Sequence, residues 1–441
     1  MTAGSQGASW LARRQIAGAR RLVAHVAERL PTDLSVRLWT GELMPLRVGA
    51  TSGLAIAVRS PRAVTRLVRR PALSTLIELI AAGEIDIEGG TLLDLAAKRG
   101  ELRTKDAARR IDKRLVLSAL WPFLLQAGTP RTDHAFAGTG DAREGRGRDD
   151  KALVQFHYDL SNAFYALFLD AEMQYSCAYF PHWEASLEEA QHAKLDMICR
   201  KLRLVPGERF LDIGCGWGGL VCHAARHYGV TAHGVTLSEA QLNFAREKIA
   251  RLGLADRVIV ELKDYRELDG SFDKIASIGM FEHVGLDNHD AYFAKLNALL
   301  RPGGILLHHA IARRAKRNLR RFRRKNAAFS ALTRYIFPGG ELDYIGLSLT
   351  NLERHGFEIH DVEGWREHYA RTCKLWCERL HANREAAVRE VGEAKTRLWL
   401  IYLAGCSLAF SRNTVGIFQT VASKRSRGPS ALPPTRADLY G

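Results

Sequence analysis

Cysteine is scarce: seven in 441 residues, an odd number, with no paired C-x-x-C spacing. That excludes a small disulfide framework and fits a chain made for a reducing cytoplasm. Cys373 and Cys377 fall on one helical face, but no second pair stands near them, so no metal site is expected. No apolar run is long and charge-free enough to span a bilayer. A secretory leader is not expected, because Arg13, Arg14, Arg20 and Arg21 interrupt the segment where its apolar core would lie. Acidic residues are outnumbered, 48 against 64 Lys and Arg, which leaves a formal net charge of +16. Such a surplus implies an anionic partner surface, nucleic acid or acidic phospholipid, and composition alone does not separate the two.

What is present suffices for two domains. The chain is too long for one small domain, and 46% of it is apolar, which excludes wholesale disorder. Residues Trp10 to Arg29 read as a basic amphipathic helix, with Leu11, Ile16, Leu22, Val23 and Val26 roughly on one face. A core-facing role is favoured over a membrane-surface role. Short strands are expected between Val36 and Val58, a helix over Thr65 to Gly83, and a strand at Ile85 to Glu88. Residues 1–130 thus read as a small α+β domain, with lipid or membrane contact as one option for it. Residues 131–150 lie in a Gly-, Arg- and Asp-rich stretch that reads as a flexible linker. Residues 151–422 alternate strands with helices: strands at Phe210–Ile213, Thr231–Val235, Val258–Leu262, Phe272–Ile278 and Gly304–Ile311. The fold class expected is α/β, a parallel, doubly wound, Rossmann-like sheet. Residues 423–441, with Pro429, Pro433 and Pro434, read as a mobile tail.

The first strand of that sheet runs into Asp212-Ile213-Gly214-Cys215-Gly216-Trp217-Gly218-Gly219. Glycine is needed where φ is positive or where a side chain would block close approach. A dinucleotide site normally reads G-x-G-x-x-G; here the third glycine comes one residue early and Asp212 precedes the turn. That pattern is similar to the loop of S-adenosylmethionine-dependent methyltransferases. Ligands of such a sheet sit at the carboxyl ends of its strands. Asp264, after the third strand, can accept from an adenine amino group, or can simply cap a turn. Thr236 stands after the second strand, where many methyltransferases carry an acid for the ribose.

Three further blocks narrow the family. They are His157-Tyr158-Asp159-Leu160-Ser161-Asn162, Tyr175-Ser176-Cys177-Ala178-Tyr179-Phe180, and Gly279-Met280-Phe281-Glu282-His283-Val284-Gly285. With the glycine loop and Val235-Thr236-Leu237-Ser238, they resemble the cyclopropane-fatty-acyl-phospholipid synthase and mycolic acid cyclopropane synthase family, from about residue 150 to 422. The resemblance implies a methylene group carried from S-adenosylmethionine to the double bond of an unsaturated phospholipid acyl chain, with a bicarbonate ion as base. It carries the bicarbonate contacts over to Cys177, Glu282, His309, Ile311 and Tyr369. The His308-His309 doublet leaves the strand-five assignment open by one residue. Donor contacts carry over to Tyr175, Ser176, Gly214, Gly216, Thr236 and Gln241, to which the residue pattern adds Asp212 and Asp264. Cys406 aligns with a cysteine formerly regarded as the family's active-site residue. The implied mechanism needs no nucleophile, so Cys406 is given a structural role. Methyl branching of the acyl chain is the alternative within the family.

Nine basic residues stand between Arg313 and Lys325, outside the resemblance. No aromatic platform or recognised motif accompanies them, so no nucleic-acid partner is expected. A patch that docks on anionic membrane fits better. The expectation is a cytoplasmic enzyme, peripheral at the inner membrane face, for which a homodimer is compatible. The rival from another class is a basic RNA methyltransferase, which would account for the charge and the glycine loop but not for Glu282 and His309.

Overall fold

The structure, a computed structural model, describes residues 9–98, 111–126, 149, 152–153, 160–430 and 432–440. The expected linker lies outside the described residues except for Asp149, as do His157, Tyr158 and Asp159 of the first block. The chain divides into two units: 1–135 with 326–331 and 392–405, and 136–325 with 332–391 and 406–441.

In the first unit, helix α1 (Trp10–Arg29) starts where the Ser9 side chain accepts from the Ala12 N–H. Strands β1 (Ser35–Arg37), β2 (Leu43–Pro45), β3 (Ala55–Val58) and β4 (Ile85–Glu88) form a sheet in the order β2-β1-β3-β4. The single helix expected at 65–83 is two, α2 (Pro61–Arg69) and α3 (Leu73–Ala81). Pro71 lies between them and cannot continue a helix. Helices α4 (Leu92–Lys98) and α5 (Lys113–Leu124) complete the unit's N-terminal part. The core-facing reading of α1 holds. Gly18 sits where a Cβ would stand 2.2 Å from the Ala119 carbonyl of α5, and Val23 and Val26 pack on buried core residues. Residues 392–405 also belong to this unit, against the expectation that 151–422 form one domain. Arg397 ties them in by reaching Asp86 at 3.1 Å.

The second unit begins with α6 (Asn162–Ala166) and α7 (Leu187–Leu202), the latter opened by a Ser186–Glu189 capping box. Then come β5 (Arg209–Ile213), α8 (Gly219–Tyr228), β6 (Thr231–Thr236), α9 (Glu239–Arg251), β7 (Val258–Leu262), β8 (Phe272–Ile278), α10 (His289–Leu299) and β9 (Leu300–Arg313). Then, in chain order, come α11 (Leu319–Arg323), α12 (Ala327–Tyr335), α13 (Ile345–Arg354), β10 (Phe357–Gly364), α14 (Arg366–Ala382), α15 (Arg384–Val391), α16 (Glu393–Ser411), β11 (Val415–Lys424) and α17 (Ala437–Tyr440), of which α12 up to residue 331 and α16 up to residue 405 belong to the first unit.

The sheet order is β10-β11-β9-β8-β5-β6-β7. Strands β5 to β9 are mutually parallel, as expected from the sequence. β11 inserts antiparallel beside β9, and β10 beside β11, so the sheet is mixed rather than wholly parallel. Alternation along β5 sends Phe210 into one apolar layer with Val221, Val230 and Leu242. Leu211 and Ile213 go into the other, with Tyr292, Phe293 and Leu306. Chain order reverses between β5 and β8, which opens a crevice at their carboxyl ends.

The expected mobile tail is held. β11 takes it up to Lys424, Arg436 pairs with Asp361, Asp438 pairs with Arg203, and Leu439 is buried. No helix among the described residues is long and apolar enough to cross a membrane.

Candidate active site

The glycine loop leaves β5 with φ of +82° at Gly214, +54° at Gly216 and +81° at Gly218. The N–H groups of Gly214 and Cys215 both donate to the Val235 carbonyl at 3.0 Å, which pins the turn to β6. A Cβ on Gly214 would lie 3.0 Å from the Met280 side chain, while one on Gly216 would point into open space. The loop borders a cavity of about 140 Å³, and all eight donor-side residues read from the sequence line it: Tyr175, Ser176, Asp212, Gly214, Gly216, Thr236, Gln241 and Asp264.

Their side chains are ordered by one another. The Thr236 hydroxyl donates to Gln241 Oε1 at 2.7 Å, which leaves the amide NH₂ as the end able to donate to a ligand. Asp264 fills its capping role, accepting from the Arg266 N–H at 2.9 Å and clamping the Arg266 guanidinium. Asp212 is buried, and its Oδ1 has no hydrogen-bond partner. Burial lifts its pKa to about 7 against the pull of the Lys194 charge. Lys194, on α7, was not singled out from the sequence. Its buried ammonium donates to Gln174 Oε1 at 2.6 Å and Ser176 Oγ at 2.9 Å. Burial lowers its pKa to about 8, opposed by Asp170, Cys177 and Asp212. A lysine on the buried side of a helix was the signal available.

The six remaining candidates do not line this cavity, but two of them adjoin residues that do: Cys177 follows Ser176, and Glu282 lies two residues beyond Met280. Glu282 is buried in the turn after β8. Its Oε1 accepts from the Ile311 N–H at 2.7 Å, and its Oε2 has no hydrogen-bond partner. Desolvation pushes its pKa to about 7. The Ile311 N–H, expected to face the anion directly, is therefore taken by Glu282 instead.

Alternation separates the two histidines of β9. His308 packs among Phe281, Phe293 and Tyr292, on the α10 side of the sheet. His309 stands edge-on to Trp365 at 5.3 Å, and its Nδ1 faces the Gln419 amide at 3.1 Å. Its Nε2 is buried without a hydrogen-bond partner, and burial together with the charges of Lys194 and Lys201 holds its pKa well below the usual range.

The Cys177 thiol has the Ala178 carbonyl at 3.3 Å and the Trp365 carbonyl at 3.8 Å, and burial pushes its pKa well up, so it is no thiolate nucleophile. Tyr369 follows one turn after Trp365 on α14. Burial raises its phenol well above the usual range, helped by neighbouring Cys373, Tyr175, Cys177 and Cys406. Cys406 thus sits behind Tyr369, beside Cys373, in keeping with a structural role.

Aromatic rings join the two halves. Tyr369 meets Trp376 at 6.0 Å, Trp376 meets Tyr175 at 5.2 Å, Tyr175 meets Tyr165 at 5.5 Å, and Tyr165 meets Trp217 of the glycine loop at 5.0 Å. Tyr165, Trp365 and Trp376 were not foreseen, because aromatics at helical spacing read as core. The open cradle over Gly216 and the orphaned Asp212 oxygen fit a nucleoside ligand laid along the loop. The orphaned Glu282 Oε2, an acceptor, and His309 Nε2 fit a small oxyanion that carries one hydroxyl.

A family model described as mycolic acid cyclopropane synthetase matches residues 146–420. The chain belongs to the mycolic acid cyclopropane synthetase family. A protein of Pseudomonas putida named probable fatty acid methyltransferase is 36% identical over 416 residues, 94% of this chain and 98% of its own length. The cyclopropane-fatty-acyl-phospholipid synthase of Escherichia coli strain K12 is 40% identical over 269 residues, 61% of this chain and 66% of its own. The crystal structure of mycolic acid cyclopropane synthase CmaA1 complexed with SAH and CTAB is 34% identical, with a TM-score of 0.59, covering 64% of this chain and 99% of that one. The family places the chain among S-adenosylmethionine-dependent methyltransferases and cyclopropane synthases, in agreement with the glycine loop and the parallel sheet.

Proposed function

We propose that the protein transfers a methylene group from S-adenosylmethionine to the double bond of an unsaturated phospholipid acyl chain and closes a cyclopropane ring. The observation that carries this reading is Glu282: a buried carboxyl with one oxygen fixed by the Ile311 N–H and the other unpartnered. A buried polar atom left unpaired costs about 1–3 kcal/mol, and the hydroxyl of a bound hydrogen carbonate would donate to it and recover that cost. When bound, S-adenosylmethionine supplies an electrophilic methyl carbon and bicarbonate accepts the proton lost as the ring closes. Gly214, Gly216, Asp212, Asp264, Tyr175, Ser176, Thr236 and Gln241 hold the donor. Cys177, Glu282, His309 and Tyr369 cage the anion, and Ile311 acts through Glu282. Tyr175, Trp376 and Tyr369 offer ring faces to positive charge on the donor and on the alkene carbons.

Methyl branching remains the second reading, favoured by the name of the Pseudomonas putida relative, which matches nearly the whole chain. One experiment separates them. Expression in a host without such activity adds one CH₂ unit to unsaturated acyl chains, and gas chromatography with mass spectrometry of the lipids identifies a ring. A branched product replaces the ring reading with the second. Unchanged lipids, with label from the donor in RNA, overturn both.

The same reading puts the enzyme at an anionic membrane surface. Arg320, Arg321 and Arg324 are exposed around α11, whose Phe322 is buried under Tyr344 and the Arg313 guanidinium. Each exposed basic residue near acidic lipid contributes about 1 kcal/mol. Changing these three to Ser is expected to weaken binding to phosphatidylglycerol-containing vesicles roughly a hundredfold at low salt, and to flatten its salt dependence. Unaltered binding in a sedimentation assay would sink the docking role.

A further inference from the structure

Helices α7 and α8 pack side by side behind the glycine loop, and three histidines meet in their seam. His192 lies on α7. His223 and His227 are one turn apart on α8, so they share a face. The rings of His192 and His223 are 5.1 Å apart, those of His223 and His227 4.6 Å, and those of His192 and His227 6.2 Å. One ligating nitrogen from each lies within 4.8 Å of the other two. His223 is 7% exposed, and its Nε2 has no hydrogen-bond partner; the other two rings are exposed. The Asp196 carboxylate stands 3.9 Å from that nitrogen, held by the Tyr228 hydroxyl at 2.6 Å and Arg200 at 2.8 Å. It adds negative charge beside the trio without being a ligand.

We propose that His192, His223 and His227 form a site for a zinc-class divalent cation that clips α7 to α8. A buried, unpartnered imidazole is costly in an apolar seam, and a cation supplies what the nitrogen lacks. Imidazole is a good ligand for zinc, nickel and copper and a poor one for magnesium or calcium. Zinc–nitrogen bonds run near 2.0–2.1 Å, so the two exposed rings must swing inward by an ångström or so. A water completes the fourth position, since the trio opens to solvent. None of the three histidines lines the donor cavity. The clip fastens the helix that carries Lys194 to the helix that begins at Gly219, and both residues line or border the donor cavity.

The test uses the full chain without a histidine tag, stripped with chelator and titrated with zinc chloride. Calorimetry is expected to show one zinc per chain, and Tm to rise by about 5 °C when zinc exceeds its Kd a hundredfold. His192→Ala with His227→Ala alters only exposed side chains. It is expected to keep the metal-free Tm, to lose at least tenfold in affinity, and to lose the Tm rise. His223→Gln is expected to lose both as well. Absence of stoichiometric zinc, or wild-type zinc binding in the His192→Ala, His227→Ala protein, would overturn the site, the latter by locating the metal elsewhere.

Discussion

Replacing Glu282 with Gln is expected to lower turnover a hundred- to a thousand-fold while S-adenosylmethionine still binds. The magnitude is that of losing one preorganised group at a developing charge. Gln keeps the size and can still accept from the Ile311 N–H through its oxygen. What changes is the other end of the side chain: Oε2, which can accept or carry a proton, becomes an NH₂ that can only donate. The donor cavity is lined by other residues, so calorimetry with S-adenosylmethionine should return an unchanged Kd. Wild-type lipid turnover in the variant would remove Glu282 from the mechanism. The substitution also carries a stability signature. In the folded protein the Glu282 pKa is about 7, against 4.5 ordinarily, so the folded state binds its proton more tightly than the unfolded state. Stability therefore falls as pH rises from about 4.5 to 7, by about 3 kcal/mol in all, and then levels off. The Gln variant lacks that term. Its Tm should match the wild type near pH 5 and exceed it near pH 8.

Much of this site was legible because its parts are local. The glycine loop, the Tyr175 block and the turn after β8 are each contiguous, and each lands at the crevice where chain order reverses. Period-2 alternation was enough to say that one ring of His308-His309 faces away from the other. Only packing decided which: His308 is enclosed by Phe281 and Phe293, while His309 meets Trp365 and Gln419. What escaped depends on distant partners. The antiparallel pair β10 and β11 lies past the five expected strands. β10 reads as an edge because Glu358, Asp361 and Glu363 give it charge, and β11 was partly read as tail. Lys194 and Lys201 looked like ordinary helix lysines. Their burial follows from residues such as Gln174 and Glu363, which the chain brings from elsewhere. The histidine trio was invisible for the same reason, since His192 and His223 stand on different helices. Cysteine spacing carries no information about such a trio.

Gln419→Glu is expected to lower kcat about a hundredfold with little change in the KM for S-adenosylmethionine, through the tautomer of His309. Lys201 is fully buried, donates to Glu363 and to Gln419 Oε1 at 2.7 Å, and lies over the Trp365 ring at 5.0 Å. A lysine has only donors, so the atom of Gln419 facing it must be the oxygen. The amide NH₂ then points at His309 and donates to Nδ1 at 3.1 Å. A neutral imidazole that accepts at Nδ1 carries its proton on Nε2. The unpartnered Nε2 is therefore a donor, the polarity an oxyanion needs. Glu at position 419 reverses the relay: its carboxylate accepts from both Lys201 and Nδ1–H, and Nε2 becomes a bare lone pair aimed at the anion. Lys201 keeps its partners, so the change acts on the proton's position more than on packing. Nitrogen-15 shifts of the imidazole should report the exchange of tautomers directly. A variant that shows the exchange yet turns over at the wild-type rate would mean that His309 does not donate to the anion, and that the cage rests on Cys177, Glu282 and Tyr369.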